Sequence, residues 1–252
     1  MATSPAPTDT LRRPFRGSRT AATRNNLGTI GATDLPVLTP IEEKMLQLLE
    51  GTFRDIYTQA LPELETGKPV VLGVTSAIRG EGRTSTALGL SLAIAQDLDV
   101  QVLLVELDVE HATLADELKV PLRPGLVDVL AGRTDLFTAL YRLPCGPIDL
   151  LPAGSRPRSA SRALRSDALR DLLAKASAAY PVTVLDLPPA LSSSDIVPLS
   201  EYTDAMLVTA RAGVTPARLV NQAVERCAPG KVRGVVLNGQ RSRIPAWARL
   251  FV

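Results

Sequence analysis

The chain has few of the residues that most often carry cross-links or acid–base catalysis. Its two cysteines, Cys145 and Cys227, lie far apart and have no metal-ligand spacing, so we expect reduced, structural thiols. Its one histidine, His111, excludes mechanisms that need two histidines. Any chemistry that the protein performs must therefore rest mainly on other side chains.

Long apolar runs are also absent. No segment approaches the roughly 20 apolar residues that a membrane-spanning helix needs, and the N-terminus lacks the apolar core of a signal peptide. There is no internal repeat, and the net charge is only +2. We therefore expect a cytoplasmic protein without a nucleic-acid partner.

Composition divides the chain into three parts. Residues 1–25 carry five arginines against one aspartate, among Pro, Ser, Thr and Ala, which predicts that residues 1–38 are a disordered basic tail. A weak tether to anionic lipid or polymer is the alternative. Residues 39–240 suffice for one sizeable domain. The apolar, aromatic tail 241–252 either docks onto a membrane partner or lipid surface, or folds back onto the domain.

One segment has the composition of a phosphate-binding turn. Residues 75–86 read TSAIRGEGRTST and follow the apolar run 70–74, which suits a strand buried on both faces. Gly80 and Gly82 allow a tight turn in which backbone N–H groups converge on an anion. The helical pattern that follows points its N-terminus at the same anion. The strict motif G-x-x-x-x-G-K-[ST] nevertheless fails at Ala77 and Arg83.

Apolar runs alternate with helical patterns along the chain. This alternation predicts an α/β fold, a Rossmann-like P-loop domain with a doubly wound, mostly parallel sheet and helices on both faces. Helices are predicted over residues 40–60, 84–96, 166–179 and 216–227. Strands are predicted over residues 70–74, 102–105, 148–151, 182–185, 205–209 and 234–237.

Acidic residues follow the second and fourth of these strands. Glu106 and Asp108 lie two residues apart on one side of an extended segment, and Asp186 follows the fourth strand. Ligands of such sheets bind beyond the carboxyl ends of the strands, where hard oxygens hold Mg²⁺ and orient an attacking hydroxyl. Each carboxylate taken alone is better explained as a strand-end cap or surface charge. Together with Thr84 they predict a nucleotide and Mg²⁺ site.

Six segments, in order and suitably spaced, resemble one protein family. They read TSAIRGEGRTSTALGLSLAIAQ, VLLVELDVEHATL, GLVDVLAG, IDLLPAG, VTVLDLPPALSSSD and GVVLNG. The family is the bacterial tyrosine kinases of capsule and exopolysaccharide synthesis, in the deviant Walker, MinD-like branch of P-loop ATPases. The resemblance implies that residues 39–240 form a cytoplasmic kinase-like domain that uses ATP and Mg²⁺. It also implies tyrosine phosphorylation and a membrane adaptor, the polysaccharide co-polymerase, which would hold the protein at the inner face of the membrane.

The resemblance also implies roles for individual residues. Asn238 matches an asparagine that often faces the adenine, although a turn-forming Asn before Gly239 explains it equally well. Asp195 stands where the family often has an acid, or else caps a helix. The implied catalytic residues are Arg83, Glu106, Asp108 and Asp186; the implied metal ligands are Thr84, Asp108 and Asp186; the implied nucleotide contacts are Gly80, Glu81, Gly82, Arg83, Thr84, Ser85 and Asn238.

Three residues depart from the family pattern. Arg83 stands in place of the loop lysine, and its planar fork is not interchangeable with a compact ammonium. Glu106 replaces an aspartate and adds one methylene where placement matters. Glu110 reverses the charge of a position that is usually positive. Together these departures predict weak or absent turnover.

The chain also ends without the tyrosine-rich tail that is common in the family. We expect its scattered tyrosines to be packing residues. Gly51 and Tyr57 replace charged residues of the family's assembly segment, so a homo-oligomer is implied by resemblance only. The main functional prediction is an ATP-Mg²⁺ tyrosine kinase or ATPase of polysaccharide production. The alternatives are a catalytically impaired regulatory subunit of the export machinery and a MinD-like positioning ATPase.

Overall fold

The computed structural model describes residues 52–155 and 160–239. Residues 1–51, 156–159 and 240–252, which include both predicted tails, lie outside the described residues, so the predictions about them stay predictions. Within the described ranges the helices are α1 (Thr52–Ala60), α2 (Arg83–Leu98), α3 (Leu114–Glu117), α4 (Leu126–Leu130), α5 (Ala160–Leu164), α6 (Asp167–Ala179), α7 (Ile196–Glu201) and α8 (Ala217–Arg226), with 3₁₀ turns at Pro62–Thr66 and Phe137–Ala139.

Seven strands of the described chain form one sheet in the order β3-β4-β2-β5-β1-β6-β7. Every neighbouring pair is parallel except β3 and β4, which are antiparallel. The sheet therefore confirms the predicted fold class. The strands are β1 (Val70–Ser76), β2 (Val102–Glu106), β3 (Tyr141–Arg142), β4 (Ile148–Leu151), β5 (Val182–Asp186), β6 (Ala205–Arg211) and β7 (Val232–Asn238).

Strands β1, β2 and β5 are buried along their whole length and mostly apolar, because both faces of the sheet are covered. In β2, Val102 and Leu104 belong to one buried cluster, whereas Leu103 and Val105 belong to the other. Helix α2 packs in the first cluster, and α6 and α7 contribute to the second. Cys227 lies in the second cluster, where burial raises the pKa of its thiol to about 11, as suits a structural thiol.

Helix α1 packs across α2. The ring of Phe53 lies so close to Gly89 that a β-carbon there would come within 2.4 Å of it. Arg54 and the Tyr57 hydroxyl both donate hydrogen bonds to Asp97 of α2. A side chain at position 89 would therefore push the two helices apart.

The short edge strand β3 is the main difference from the predicted fold. Its two residues pair with Asp149 and Leu150 of β4, and a two-residue strand is too short to produce a periodic pattern. The six predicted strands and the three predicted helices after residue 80 are all present, with ends that differ by a few residues. In the part of the chain that the structure describes, no helix has the length and apolarity to cross a membrane.

Candidate functional site

The turn between β1 and α2 lies at the carboxyl ends of the central strands. Gly82, the residue before α2, has φ of 83° and ψ of 24°, which is the left-handed conformation that favours glycine. The first N–H groups of a helix have no acceptor within it and carry its positive partial charge. Since α2 is 16 residues long, its start provides a set of aligned donors for an anion.

Two side chains fix the conformation of this turn. Glu81 is 2% exposed; it accepts a hydrogen bond from the backbone N–H of Ile78 at 2.9 Å and another from the hydroxyl of Thr215. The amide of Asn238 donates to the carbonyl oxygen of Glu81 at 3.1 Å, and its oxygen accepts from the N–H of Gly239 at 2.8 Å. The turn is thus tied to β7 and to the segment before α8.

These contacts involve one residue with a predicted role, Asn238, and one without, Thr215. The side-chain oxygen of Asn238 makes the local turn contact that the sequence offered as an alternative, and its amide holds the loop. The predicted contact with adenine stays a prediction. Thr215 had no place in the sequence prediction, because it lies 134 residues from Glu81 and no local pattern marks it.

We expect Gly82→Ala to disrupt the turn more than its backbone strain alone explains. A β-carbon at Gly82 would come within 1.6 Å of the amide nitrogen of Asn238, whereas one at Gly230, with φ of 75°, meets no atom within 4 Å. Each left-handed alanine costs about 1–2 kcal/mol, so Gly230→Ala is the matched control. Urea denaturation should show at least twice the loss in Gly82→Ala; equal losses in both variants would contradict the role of the Asn238 contact.

A charged cluster lies beside the turn, at the ends of β2 and β5. Arg83 donates from Nε to Oδ1 of Asp186 at 2.9 Å and from Nη2 to Oδ2 of Asp108 at 2.9 Å. Thr84 Oγ1 donates to Oδ2 of Asp186 at 2.8 Å. The structure thus brings together four of the predicted site residues from three separate segments.

Burial dominates the electrostatics of the cluster. Asp186 is 1% exposed, and this burial raises the pKa of its carboxyl, while the charge of Arg83 and the hydrogen bond from Thr84 oppose the rise. Both oxygens of Asp186 accept hydrogen bonds from side-chain donors, which is the pattern of an ionised carboxylate. The cluster therefore depends on Arg83 to keep a buried charge.

Glu106 has a different environment from the other predicted catalytic residues. Its Oε1 accepts hydrogen bonds from the backbone N–H groups of Thr113 and Leu114 at the start of α3, at 2.7 and 2.8 Å. Its Oε2 accepts from the N–H of Ala153 at 3.1 Å. Burial raises the pKa of Glu106, and these three hydrogen bonds oppose the rise. The carboxylate joins β2 to α3 and to the segment after β4, so its catalytic role stays a prediction.

Asp195 pairs with residues that the sequence did not suggest. Its carboxylate accepts hydrogen bonds from the hydroxyl of Ser161 at 2.8 Å and from Nε of Arg165 at 3.0 Å. It stands at the N-cap position of α7, but its side chain makes no capping hydrogen bond. The capping interpretation therefore does not describe this carboxylate.

A cleft of about 460 Å³ opens next to the charged cluster. It lies between the segment after β2 and helix α3, and its lining includes Glu110, Thr113, Asp116 and Leu122. His111, which also lines it, has Nδ1 3.7 Å from Oδ1 of Asp108. His111 is therefore a lining residue whose side chain lies close to the charged cluster.

Comparison with known proteins relates this site to one group of enzymes, although no family model matches the chain. The tyrosine-protein kinase Etk of Escherichia coli K12 is 29% identical over 171 residues, which is 67% of this chain and 23% of Etk. YwqD, a tyrosine-protein kinase of Bacillus subtilis, is 28% identical over 170 residues, or 67% of this chain and 71% of YwqD. The homologues of this protein are bacterial tyrosine kinases.

Solved structures of bacterial tyrosine kinase domains share the fold of this chain. The kinase domain of E. coli ETK superposes with a TM-score of 0.66 and 28% identity, covering 71% of each chain. The VpsO kinase domain superposes with a TM-score of 0.71 and 27% identity, covering 79% of this chain and 98% of that domain. MinD of Pyrococcus horikoshii, at 21% identity and a TM-score of 0.55, shares the fold alone.

In the described part of this chain, none of the four tyrosines is fully exposed. Tyr57 and Tyr180 are 7% and 6% exposed, and their hydroxyls donate to Asp97 and Asp149. Tyr141 and Tyr202 are half-buried, which agrees with the prediction of packing residues. In the native fold, Tyr57 and Tyr180 are therefore poor phosphate acceptors.

Proposed function

We propose that this protein binds ATP at the turn between β1 and α2 and transfers phosphate slowly to tyrosine, in the production of an extracellular polysaccharide. The observation that carries the proposal is the position of Arg83 and Thr84 at the start of a long helix, in contact with Asp108 and Asp186. The homology to tyrosine kinases supports the type of reaction. The resemblance to kinases of capsule synthesis supports the process.

Several donors of the protein support binding of the phosphates. The N–H groups of Arg83, Thr84 and Ser85 lie in the first turn of α2, where no intrahelical acceptor is available to them. Arg83 adds a permanent positive charge. Proteins of this fold have been solved with nucleotides, among them MinD with Mg-ADP and a cobyrinic acid a,c-diamide synthase with an ATP analogue and magnesium.

The predicted Mg²⁺ ligands have suitable chemistry but an unsuitable arrangement. Carboxylate and hydroxyl oxygens are the ligands that Mg²⁺ prefers, and Thr84, Asp108 and Asp186 supply them. The guanidinium of Arg83 already binds one oxygen of each carboxylate. The residues as arranged therefore do not fit a divalent cation.

Transfer to tyrosine needs an acceptor for the hydroxyl proton. Asp108 is better placed for this role than Glu106, because both oxygens of Glu106 accept backbone hydrogen bonds whereas Asp108 Oδ1 faces His111 beside the cleft. We expect slow turnover, because Arg83, Asp108 and Asp186 hold one another. The same pairing favours the second candidate function, a catalytically impaired nucleotide-binding subunit of the export machinery.

Partners and location follow from the resemblance and are likewise proposals. A membrane adaptor would recruit the protein to the cytoplasmic face of the cell membrane, and its cytoplasmic tail is the first candidate substrate. The chain spans 23% of the length of Etk, so the activity of the whole kinase is part of this proposal. A homo-oligomer stays a prediction.

Nucleotide binding and phosphate transfer together test the proposed function. Calorimetry should detect ATP binding, and radiolabelled ATP should label the adaptor tail at least about 100-fold more slowly than the 1–100 s⁻¹ typical of protein kinases. Binding without transfer would select the regulatory function. Absence of binding would reject both functions, and brisk ATP hydrolysis that Asp186→Asn abolishes would reject slow turnover.

A further inference from the structure

The two carboxylates at the ends of β2 and β5 share one cation that belongs to the protein. Arg83 donates to both through separate nitrogens of one planar guanidinium, each at 2.9 Å. The side chains of Arg83, Asp108 and Asp186 are 11%, 5% and 1% exposed. Hydrogen bonds between charged partners in such a dry site are strong, so the guanidinium is firmly held.

A divalent cation has little access to the same oxygens. It would have to replace the guanidinium on at least one carboxylate and would then lie beside a positive charge that cannot lose its proton. A lysine presents a compact point charge that shifts its pKa readily. The arginine therefore excludes a metal in a way that a lysine at position 83 would not.

Other ionisable side chains lie near the two aspartates. His111 Nδ1 lies 3.7 Å from Asp108 Oδ1. Burial raises the pKa of Glu117, and the charge of Asp186 adds to the rise. Glu106 pairs in register with Asp186 across β2 and β5. Among the described residues, Arg83 is the cation in direct contact with both aspartates.

We propose that Arg83 is the resident cation of this site in place of a divalent metal, and that the turn binds the diphosphate group of a nucleotide without metal. The inference rests on the proposed function, because it concerns the same nucleotide site. Two of the five guanidinium N–H groups bind the aspartates. The other three and the first N–H groups of α2 are the donors for the phosphates. Slow turnover follows, since no metal stabilises the transferred phosphate.

Binding of ADP in excess MgCl₂ and in EDTA, measured by calorimetry, tests the inference. The wild-type dissociation constants should differ by less than about threefold, whereas Arg83→Lys should bind ADP at least about tenfold more tightly with Mg²⁺. Arg170→Lys is the matched control, because Arg170 is exposed on α6 and pairs with Asp167 there. It should behave as the wild type does.

Paramagnetic resonance of Mn²⁺ supplies a readout that needs no nucleotide. Wild-type protein should leave added Mn²⁺ free in solution, and Arg83→Gln should bind it through the released carboxylates. Thermal melting establishes that each variant is folded; should Arg83→Gln fail to fold, the wild-type measurements decide.

The outcomes separate the inference from the proposed function. A wild-type affinity for ADP that rises about tenfold or more with Mg²⁺, or Mn²⁺ binding by the wild type, overturns the inference and leaves nucleotide binding intact. Absence of ADP binding with and without Mg²⁺ overturns both. Metal-independent binding in the wild type together with metal dependence in Arg83→Lys supports both.

Discussion

Glu106→Ala is expected to lower the free energy of unfolding by about 3 kcal/mol or more, because three backbone N–H groups would each lose an acceptor worth about 1–3 kcal/mol. These groups belong to Thr113, Leu114 and Ala153. Glu106 is 1% exposed, and its hydrogen bonds with Leu114 and Ala153 are buried. Urea denaturation followed by circular dichroism measures the loss of free energy. Thermal unfolding should show a melting temperature lower by about 6–12 °C.

Two further variants separate this structural role from catalysis. Glu225→Ala, an exposed glutamate on α8, should change stability by no more than about 0.5 kcal/mol. Glu106→Asp restores the aspartate of the resembling family but shortens the side chain, so it should destabilise the protein without speeding phosphate transfer. A stable Glu106→Ala protein that has lost transfer would instead make Glu106 a catalytic residue.

Asp186→Ala is expected to cost about 3–5 kcal/mol, the usual effect of removing one partner from a buried ion pair. Arg83 would keep a bond to Asp108 alone, and the hydroxyl of Thr84 would lose its acceptor. Chemical denaturation measures the change. Asp167→Ala is the control, because the side chain of Asp167 is 90% exposed and its partner Arg170 is also exposed, so the expected loss is below about 1 kcal/mol.

A double-mutant cycle tests whether the loss comes from the pairing with Arg83. Arg83→Leu combined with Asp186→Leu should destabilise the protein by less than the sum of the two single changes, because no charge of this pair is then left buried without its partner. Additive losses would mean that Arg83 and Asp186 act independently. In that case the short distances between them would not reflect energetic coupling.

The fold was largely predictable because its signals are local. Continuous apolar runs such as residues 70–74 become central strands, here Val70–Ser76, since both faces of the sheet are covered. The Ala- and Leu-rich run after Gly82 becomes α2. Strand β3 was missed because two residues carry no periodicity, and it forms only by pairing with β4. The tails and the start of the predicted first helix lie outside residues 52–155 and 160–239.

The candidate site was predictable in membership but only partly in arrangement. The positions of Asp108 and Asp186 after strands indicated that they lie at one edge of the sheet, and they do meet there through Arg83. The three backbone contacts of Glu106 depend on how α3 and β4 pack, and nothing near Glu106 in the sequence marks them. Their roles in binding and catalysis still await the experiments above.

The sequence by itself determined which elements form and which acids follow the strands, because hydrophobic periodicity and glycine turns act over a few residues. Only the tertiary structure decided what Arg83 binds. Its partners lie 25 and 103 residues away, and their meeting depends on the order of strands in the sheet. That order places β5 between β1 and β2, so the carboxylate of Asp186 comes within reach of an arginine that the sequence could only mark as unusual.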